Sequence, residues 1–205
     1  MKQLEMQQLI LGMVYTNCYF LKNKETGELF IVDPADMLPK IETMVERMQG
    51  KPVGVLLTHG HYDHILAANG LREKYGLKIY ACEAEKEMLE DPSLNLSGNC
   101  SVAADVWLKD LEEIQVAGFQ IQVLHTPGHT RGSCCYYLKD EKILLSGDTL
   151  FCESVGRTDL PTGSTRQIID SLHRLLENLP EDVEVYPGHD SMTTIAHEKR
   201  YNPFV

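Results

Sequence analysis

The spacing of apolar residues along this chain predicts an alternation of short strands and amphipathic helices. Between positions 36 and 49 the apolar residues follow the i, i+3, i+4, i+7 pattern of a helix with one buried face. They are Ile41, Met44, Val45 and Met48. Residues 53–57 instead form a short, wholly apolar run, as buried strands do. Gly50 separates the two segments and is a typical C-terminal stop for the helix.

The same patterns divide the whole chain into two blocks of strands accompanied by helices. Strands are predicted at residues 6–11, 14–21, 29–32, 53–57, 77–81, 106–108, 114–116, 119–123, 134–138, 143–145 and 183–186. Further helices are predicted after residue 62, up to residue 90, and at 165–178 and 192–200. We therefore expect an α/β fold in which two sheets pack face to face with helices outside. Without an internal repeat or low-complexity linker, residues 1–205 are expected to form a single domain.

Composition narrows the range of partners. A formal net charge of −11 provides no basic footprint for nucleic acid or for an anionic membrane surface. No run approaches the roughly 20 apolar residues of a membrane helix, and the first residues lack the apolar stretch of a signal peptide, so a cytoplasmic protein is expected. The six cysteines show no Cys-x-x-Cys spacing, which favours reduced, packed thiols. A small-molecule substrate is the expected partner.

One segment concentrates residues that bind metals. The sequence Thr58-His-Gly-His-Tyr-Asp-His64 follows a buried strand and leads into a helix. His59 and His61, at i and i+2 of an extended loop, can share one ion, while Asp63 and His64 on the incoming helical turn can reach a second. Imidazole nitrogens and carboxylate oxygens suit Zn²⁺, Fe²⁺ or Mn²⁺.

Three further residues occupy similar positions later in the chain. His129, Asp148 and His189 each follow an apolar strand and a turn that contains glycine. The seven candidates exceed the four ligands of a closed structural zinc, so two ions with open positions are predicted. Asp148 is the candidate bridge, because a carboxylate at the end of an apolar strand is costly without a cation. The remaining histidines are expected to lie outside the site: His125, His173 and His197.

These motifs resemble those of the metallo-β-lactamase superfamily, and within it the hydroxyacylglutathione hydrolase (glyoxalase II) type. The matching motifs are Thr58-His-Gly-His-Tyr-Asp-His64, Thr126-Pro-Gly-His129-Thr, Gly147-Asp148-Thr-Leu-Phe151, Gly156-Arg-Thr-Asp159 and Pro187-Gly-His189. The resemblance implies a four-layered αββα sandwich. It also implies one site formed by His59, His61 and His129 and a second formed by Asp63, His64 and His189, with Asp148 bridging.

The resemblance assigns further roles to residues beside the metals. Asp33 would accept an imidazole N–H and fix the orientation of a ligand. Arg157 and Tyr136 fall where relatives contact the substrate. The implied activity is hydrolysis of a thioester such as S-lactoylglutathione by water activated between two divalent ions, most naturally Zn²⁺, with Asp63 orienting that water or moving its proton. Glyoxalase II proper also carries a basic C-terminal helical region for glutathione, so the closer resemblance is to short, single-domain members.

Three alternatives remain open at this stage. His59, His129 and Asp148 also form a two-histidine, one-carboxylate triad for a single Fe²⁺, as in related persulfide dioxygenases. A nuclease of the same superfamily would share the cluster but would need a basic track, which this acidic chain lacks. A metal-binding interaction or sensing protein without turnover is the third alternative. The polar stretch at residues 91–104 is expected to form a surface loop over the site.

Overall fold

The computed structural model describes residues 3–205, and its elements follow the two predicted blocks. The first block contains β1 (Leu4–Leu11), β2 (Thr16–Asn23), β3 (Glu28–Val32), α1 (Leu38–Arg47), β4 (Lys51–Leu56), α2 (Tyr62–Ile65), α3 (Ala68–Tyr75), β5 (Lys78–Cys82), a 3-10 turn (Glu83–Glu85), α4 (Lys86–Glu90) and β6 (Val106–Leu108). The second contains β7 (Glu113–Val116), β8 (Phe119–His125), β9 (Cys134–Leu138), β10 (Ile143–Gly147), β11 (Leu150–Phe151), β12 (Ser154–Val155), α5 (Thr165–Asn178), β13 (Glu184–Pro187), β14 (Thr193–Thr194) and α6 (Ile195–Tyr201).

Each block forms one six-stranded sheet. The first sheet has the order β1-β2-β3-β4-β5-β6, antiparallel from β1 to β3 and parallel from β3 to β6. The connections between the parallel strands contain α1, then α2 and α3, then the 3-10 turn and α4, because a parallel connection must cross back over the sheet. The second sheet has the order β14-β13-β10-β9-β8-β7, in which only β10 and β13 are parallel neighbours.

The alternation of side chains along each strand produces the layers. On β3, Leu29 and Ile31 pack with the apolar face of α1, whereas Phe30 points to the other side and packs edge-on against Phe119 of the second sheet. On β8, Val123 lies between the sheets, while the next residue, Leu124, packs with the leucines of α5. The order of layers is therefore helices, sheet, sheet, helices, and the expected four-layered αββα sandwich is confirmed.

The ends of several strands meet at one edge of the sandwich. β4 ends just before Thr58, β8 just before the loop that carries His129, and β10 just before Asp148. Because β13 runs parallel to β10 and pairs with it, its end brings His189 beside Asp148. Residues far apart in the chain thus converge at one edge, as the sequence predicts.

The structure departs from the predicted elements at both ends of the chain. β2 begins at Thr16 rather than at residue 14, because Gly12 and Tyr15 adopt positive φ angles of 72° and 62° and form a turn. The helix predicted at 192–200 begins only at Ile195. The preceding Thr193 and Thr194 pair with β13 as a short edge strand, and the Thr194 hydroxyl accepts a hydrogen bond from the backbone N–H of His197.

Short elements in the middle of the chain also escaped prediction. The helix expected after residue 62 is divided into α2 and α3, and the segment up to residue 90 starts as a 3-10 turn. The hairpin of β11 and β12 was not predicted, because strands of two residues have no measurable periodicity.

Two expectations from composition can be compared with the structure. Within residues 3–205 all six cysteines are free, and four of them are buried, which agrees with packed thiols. None of the helices in the described part of the chain is long and apolar enough to cross a membrane.

Gly128 provides a test of how the second sheet and α5 position the ligand loop. Its φ is 140°, and a Cβ atom would lie 2.2 Å from the backbone nitrogen of Ile168. We expect Gly128→Ala to lower the free energy of unfolding by at least about 2 kcal/mol, because both the backbone conformation and the contact with α5 are disturbed. Urea denaturation measures this loss. Gly27→Ala is the control: φ is 73° there but no atom lies within 4 Å, so only about 1 kcal/mol should be lost. Equal losses would contradict the role of the contact.

Candidate metal centre

The loop after β4 carries two imidazoles at the edge of the sandwich where the strand ends meet. His59 and His61 are both buried, with exposed fractions of 1% and 3%. The Thr58 hydroxyl lies 3.1 Å from His59 Nδ1, which leaves His59 Nε2 directed toward the centre of the cluster. His61 Nδ1 lies 2.9 Å from His129 Nε2. The structure thus brings together the first predicted group, with donor atoms of His59, His61 and His129 within 4.8 Å of one another.

His129 is oriented by the backbone of the segment that follows the β11–β12 hairpin. Its Nδ1 donates a hydrogen bond to the carbonyl oxygen of Arg157 at 2.8 Å. This contact fixes the proton on Nδ1 and directs the lone pair on Nε2 toward His61 and the cluster, as a metal ligand requires.

The second predicted group also forms. Donor atoms of Asp63, His64 and His189 lie within 4.8 Å of one another. Asp63 Oδ2 is 3.4 Å from His64 Nε2 and 3.3 Å from His189 Nε2. The Thr16 hydroxyl donates to the same Asp63 oxygen at 2.9 Å, so β2 helps to orient this carboxylate.

Asp148 lies between the two groups. Its Oδ2 atom is 3.5 Å from His129 Nε2 and 3.5 Å from His189 Nε2, and its Oδ1 atom is 3.5 Å from His64 Nε2. A carboxylate that faces ligands of both groups has the position expected of a bridge.

Asp33 lies directly behind the second group. Its backbone has a φ of 49°, and its carboxylate accepts hydrogen bonds from the Thr58 backbone N–H at 2.8 Å and from the Thr58 hydroxyl at 2.6 Å. His64 Nδ1 lies 2.9 Å from Asp33 Oδ2. Because Asp33 accepts the Nδ1 proton, His64 Nε2 is left to face Asp63 and Asp148. The geometry matches the role expected for Asp33 from the sequence.

Several buried polar atoms of the cluster lack a hydrogen-bond partner, which tests whether metal ions fit. Among the described residues these atoms are His59 Nε2, His61 Nε2, His64 Nε2 and Asp148 Oδ1. Buried polar groups in proteins are nearly always paired, so four unpaired atoms in one cluster require an explanation. Coordination to divalent cations explains His59, His64 and Asp148 directly, and the nitrogen and oxygen donors suit such ions.

The electrostatics of the two groups differ. Burial, reinforced by the neighbouring imidazoles, lowers the pKa of His59 well below its ordinary value, and burial lowers the pKa of His61 to about 3. Both rings are therefore neutral at pH 7 and ready to bind metal. In the second group, burial opposes the charge on His64, but Asp63, Asp148 and Asp33 raise its pKa well above the ordinary value. The carboxylates on that side thus demand positive charge, which a divalent cation would supply.

Five of the seven donor residues, all except His59 and His64, line a cavity of 330 Å³. Besides the donors, its lining includes Val14, Tyr62, Leu96, Arg157 and Leu160. Leu96 belongs to the polar stretch that was expected to lie over the site. A larger cavity of 480 Å³, lined in part by Leu124 and Leu175, contains none of the donor residues. The smaller cavity is therefore the candidate substrate site.

The two residues expected to contact substrate occupy different environments. Arg157 lines the cavity, and its guanidinium forms two hydrogen bonds of 2.7 Å with the Asp159 carboxylate. Tyr136 is fully buried between the sheets, and its hydroxyl donates to the carbonyl oxygen of Leu57 at 2.8 Å. Tyr136 does not line the cavity, so the structure does not place it where the expected substrate contact would form. Tyr136 instead supports the end of β4, next to the ligand loop.

The histidines expected outside the cluster lie outside it. His125 Nε2 donates to the carbonyl of Arg131, His173 is exposed on α5, and His197 contacts the Glu153 carboxylate at 2.9 Å. Sequence reasoning missed two residues that act on the ligand loops. The Thr58 hydroxyl links Asp33 to the loop after β4, and the buried Glu85 accepts one backbone hydrogen bond from Gly60 of that loop and one from Gly132 of the His129 loop.

Comparisons with known proteins agree with this geometry. The model of the Metallo-beta-lactamase superfamily matches residues 11–189. The chain is 36% identical over 205 residues to the probable metallo-hydrolase YqgX of Bacillus subtilis, covering 97% of this chain and 96% of the relative. It is 33% identical over 196 residues to the hydroxyacylglutathione hydrolase GloC of Haemophilus influenzae, covering 92% of each.

Solved structures show the same similarity. The crystal structure of the BLEG-1 B3 metallo-beta-lactamase matches with a TM-score of 0.91 at 38% identity, over 98% of this chain and 99% of the other. ETHE1 from Myxococcus xanthus matches with a TM-score of 0.82 at 32% identity, over 97% and 83%. TTHA1623 in a di-iron-bound form matches with a TM-score of 0.83 at 33% identity, over 97% and 100%.

Replacement of the Tyr136 hydroxyl separates a supporting role from a substrate contact. We expect Tyr136→Phe to lower the free energy of unfolding by about 1–2 kcal/mol, because the buried Leu57 carbonyl loses its strong donor. KM should stay within about twofold of wild type, since the ring remains in place. Chemical denaturation and steady-state kinetics measure the two quantities.

The control is Tyr186→Phe, whose hydroxyl donates to the exposed Glu184 and whose loss should cost less than about 0.5 kcal/mol. A severalfold rise in KM for Tyr136→Phe with unchanged stability would instead support a contact between Tyr136 and the substrate.

Proposed function

The chain belongs to the metallo-β-lactamase superfamily, and we propose that it is a binuclear metal-dependent hydrolase that cleaves thioesters. The observation that carries the proposal is the convergence of two donor groups, joined by Asp148, on one open cavity. The similarity to hydrolases over nearly the whole chain supports the reaction class, and the similarity to GloC supports a thioester substrate.

Each donor group would hold one divalent cation. His59, His61 and His129 would hold the first, and Asp63, His64 and His189 the second, with Asp148 shared between them. When bound, such a pair of ions supplies hydroxide at neutral pH and polarises a carbonyl oxygen. Zinc fits the nitrogen-rich first group well, and Fe²⁺ or Mn²⁺ accepts the same donors. The di-iron-bound relative supports two ions and extends the choice to iron.

Asp63 is suited to orient the attacking water. Burial raises the pKa of its carboxyl, but the charge on His64 and hydrogen bonds from His189 and His64 lower the pKa far below the usual range. The carboxylate therefore stays ionised and accepts a hydrogen bond from water, with its direction fixed by the Thr16 hydroxyl.

The lining of the cavity and the chemistry of the leaving group are both compatible with a thioester substrate. Val14, Leu96 and Leu160 provide an apolar side on which an acyl or thiol group can lie. The leaving group is a thiolate, and because thiols have pKa values near 8.5, it departs without a strong general acid. Arg157 remains the candidate contact for a negatively charged part of the substrate, although Asp159 already holds its guanidinium.

Two other activities define the alternatives. The first alternative, already suggested by the sequence, is persulfide oxygenation at a single Fe²⁺ held by His59, His129 and Asp148. The similarity to ETHE1 supports it. The similarity to a B3 metallo-beta-lactamase supports hydrolysis of a lactam. The complete second group of Asp63, His64 and His189 favours a hydrolase with two ions, because a mononuclear triad does not need it.

A substrate panel tests the proposed function. Protein loaded separately with Zn²⁺, Fe²⁺ or Mn²⁺ is supplied with S-lactoylglutathione, a small acetyl thioester, a chromogenic cephalosporin or glutathione persulfide. We expect one thiol released per thioester hydrolysed, without oxygen uptake. Asp148→Ala serves as the inactive control. Oxygen uptake with one iron would identify a dioxygenase, preferred turnover of the cephalosporin a lactamase, and no turnover by fully loaded protein a binding protein.

The number of ions is tested separately. Chelator-stripped protein titrated with Zn²⁺ should bind two ions per chain, measured by calorimetry and by elemental analysis. His61→Ala and His189→Ala should each lose one ion and keep the other, because each belongs to a different donor group. His173→Ala, exposed on α5, is the matched control and should bind both. Saturation of the wild type at a single ion would contradict a binuclear centre.

A further inference from the structure

A buried glutamate links the two loops that carry the first donor group. Glu85 ends the 3-10 turn after β5 and is only 1% exposed. Its Oε1 accepts a hydrogen bond from the backbone N–H of Gly60 at 2.8 Å, and its Oε2 accepts one from the backbone N–H of Gly132 at 2.7 Å. Gly60 lies between His59 and His61, and Gly132 lies three residues after His129.

Burial of this carboxylate is unfavourable unless the hydrogen bonds compensate. Burial raises the pKa of Glu85 to about 7, and hydrogen bonds from Gly60, Thr130 and Gly132 act in the opposite direction. Arg131 lies nearby, but its guanidinium donates to the exposed Glu87 at 3.0 Å. Glu85 is therefore held by donors of the two ligand loops, and an apolar residue of similar volume would avoid the cost of its burial.

Both loops pass close to the segment that carries Glu85, and glycine occupies each point of approach. A Cβ atom at Gly132 would lie 2.2 Å from the backbone nitrogen of Glu85. A Cβ atom at Gly60 would lie 3.3 Å from Glu85 Oε1 and 2.6 Å from the Met88 side chain. The sequence thus provides a glycine at each contact, and this steric observation is independent of the hydrogen bonds.

We propose that Glu85 is a positioning residue for the first metal: its two carboxylate oxygens fix the separation of the 58–64 and 126–133 loops and so preform the group of His59, His61 and His129. The inference rests on the proposed binuclear centre, because the loops it joins carry the ligands of the first ion. The distance of 2.9 Å between His61 Nδ1 and His129 Nε2 is the spacing that depends on this link.

The second donor group is held by other contacts, so the effect of Glu85 is selective. Asp33 orients His64, and Thr16 orients Asp63. The loop that carries His189 is attached to β2, where the Tyr19 hydroxyl and the Asn17 side-chain amide both donate to the Pro187 carbonyl. A change at Glu85 should therefore weaken the first ion and spare the second.

Glu85→Gln tests the proposal with little change of shape. The substitution replaces one accepting oxygen by an NH₂ group, which cannot accept from a backbone N–H. Full-length, chelator-stripped protein is titrated with Zn²⁺ and with Mn²⁺, and the affinity of each ion is measured. We expect one ion to bind about 10–100-fold more weakly and the other to change by less than about threefold. The circular dichroism spectrum should match that of the wild type.

Two comparisons make the titration specific. Glu87→Gln removes an exposed carboxylate two residues away and should leave both affinities unchanged. In the His61→Ala background, which retains only the second ion, Glu85→Gln should have no further effect on affinity. If Glu85→Gln does not fold, Glu85→Asp takes its place in the titration. Aspartate keeps both carboxylate oxygens on a side chain that is one methylene shorter.

Unchanged affinities, or equal weakening of both ions, would overturn the proposal, since a merely structural glutamate would not distinguish the two groups. The titration involves no substrate. Failure of the thioester assay with a selective loss of the first ion would therefore refute the proposed function and leave the role of Glu85 intact.

Discussion

The centre depends on one electrostatic requirement: buried carboxylates and unpaired imidazole nitrogens at the same edge of the sandwich need positive charge between them. Asp63 and Asp148 face the cluster, Asp33 supports it from behind, and the Nε2 atoms of His59 and His64 have no hydrogen-bond partner. Desolvated charges and unpaired polar atoms each cost several kcal/mol in a protein interior. Divalent cations offset both costs, because they accept the lone pairs and neutralise the carboxylates. The surrounding hydrogen bonds therefore act to direct lone pairs inward.

The fold meets this requirement by assembling strand ends. The parallel pair β10 and β13 places Asp148 beside His189, and β4 delivers the loop of His59 and His61 from the other sheet. The apolar interior between the sheets aligns these ends, and its contribution includes the hydrogen bond from Tyr136 to the end of β4. Backbone groups then complete the orientation, such as the Arg157 carbonyl that accepts from His129. Core packing and ligand geometry are thus coupled through short loops.

The sequence predicted which residues cluster at the site better than it predicted the contacts that orient them. His59 to His64 are identifiable because metal-binding residue types cluster after an apolar strand, and Asp33 because it matches a family position. Tyr136 was misplaced, since its motif says nothing about which face of β9 it occupies, and the structure turns it toward the inter-sheet core. Glu85 gave no signal, because it lies in a charged segment that reads as an exposed helix. Contacts to backbone N–H groups depend on tertiary geometry, which residue identity alone does not reveal.

The metal-binding residues by themselves do not determine the substrate. Proteins described as a hydroxyacylglutathione hydrolase, a B3 metallo-beta-lactamase and ETHE1 are all 32–38% identical to this chain over most of its length. One fold therefore accommodates several chemistries, and we expect side chains that line the cavity without binding metal to discriminate between substrates. In this chain they combine an apolar side with one cation, Arg157, which Asp159 already partly neutralises. For the thioester hydrolysis proposed above, such a lining favours a small or weakly charged substrate over a multiply charged one.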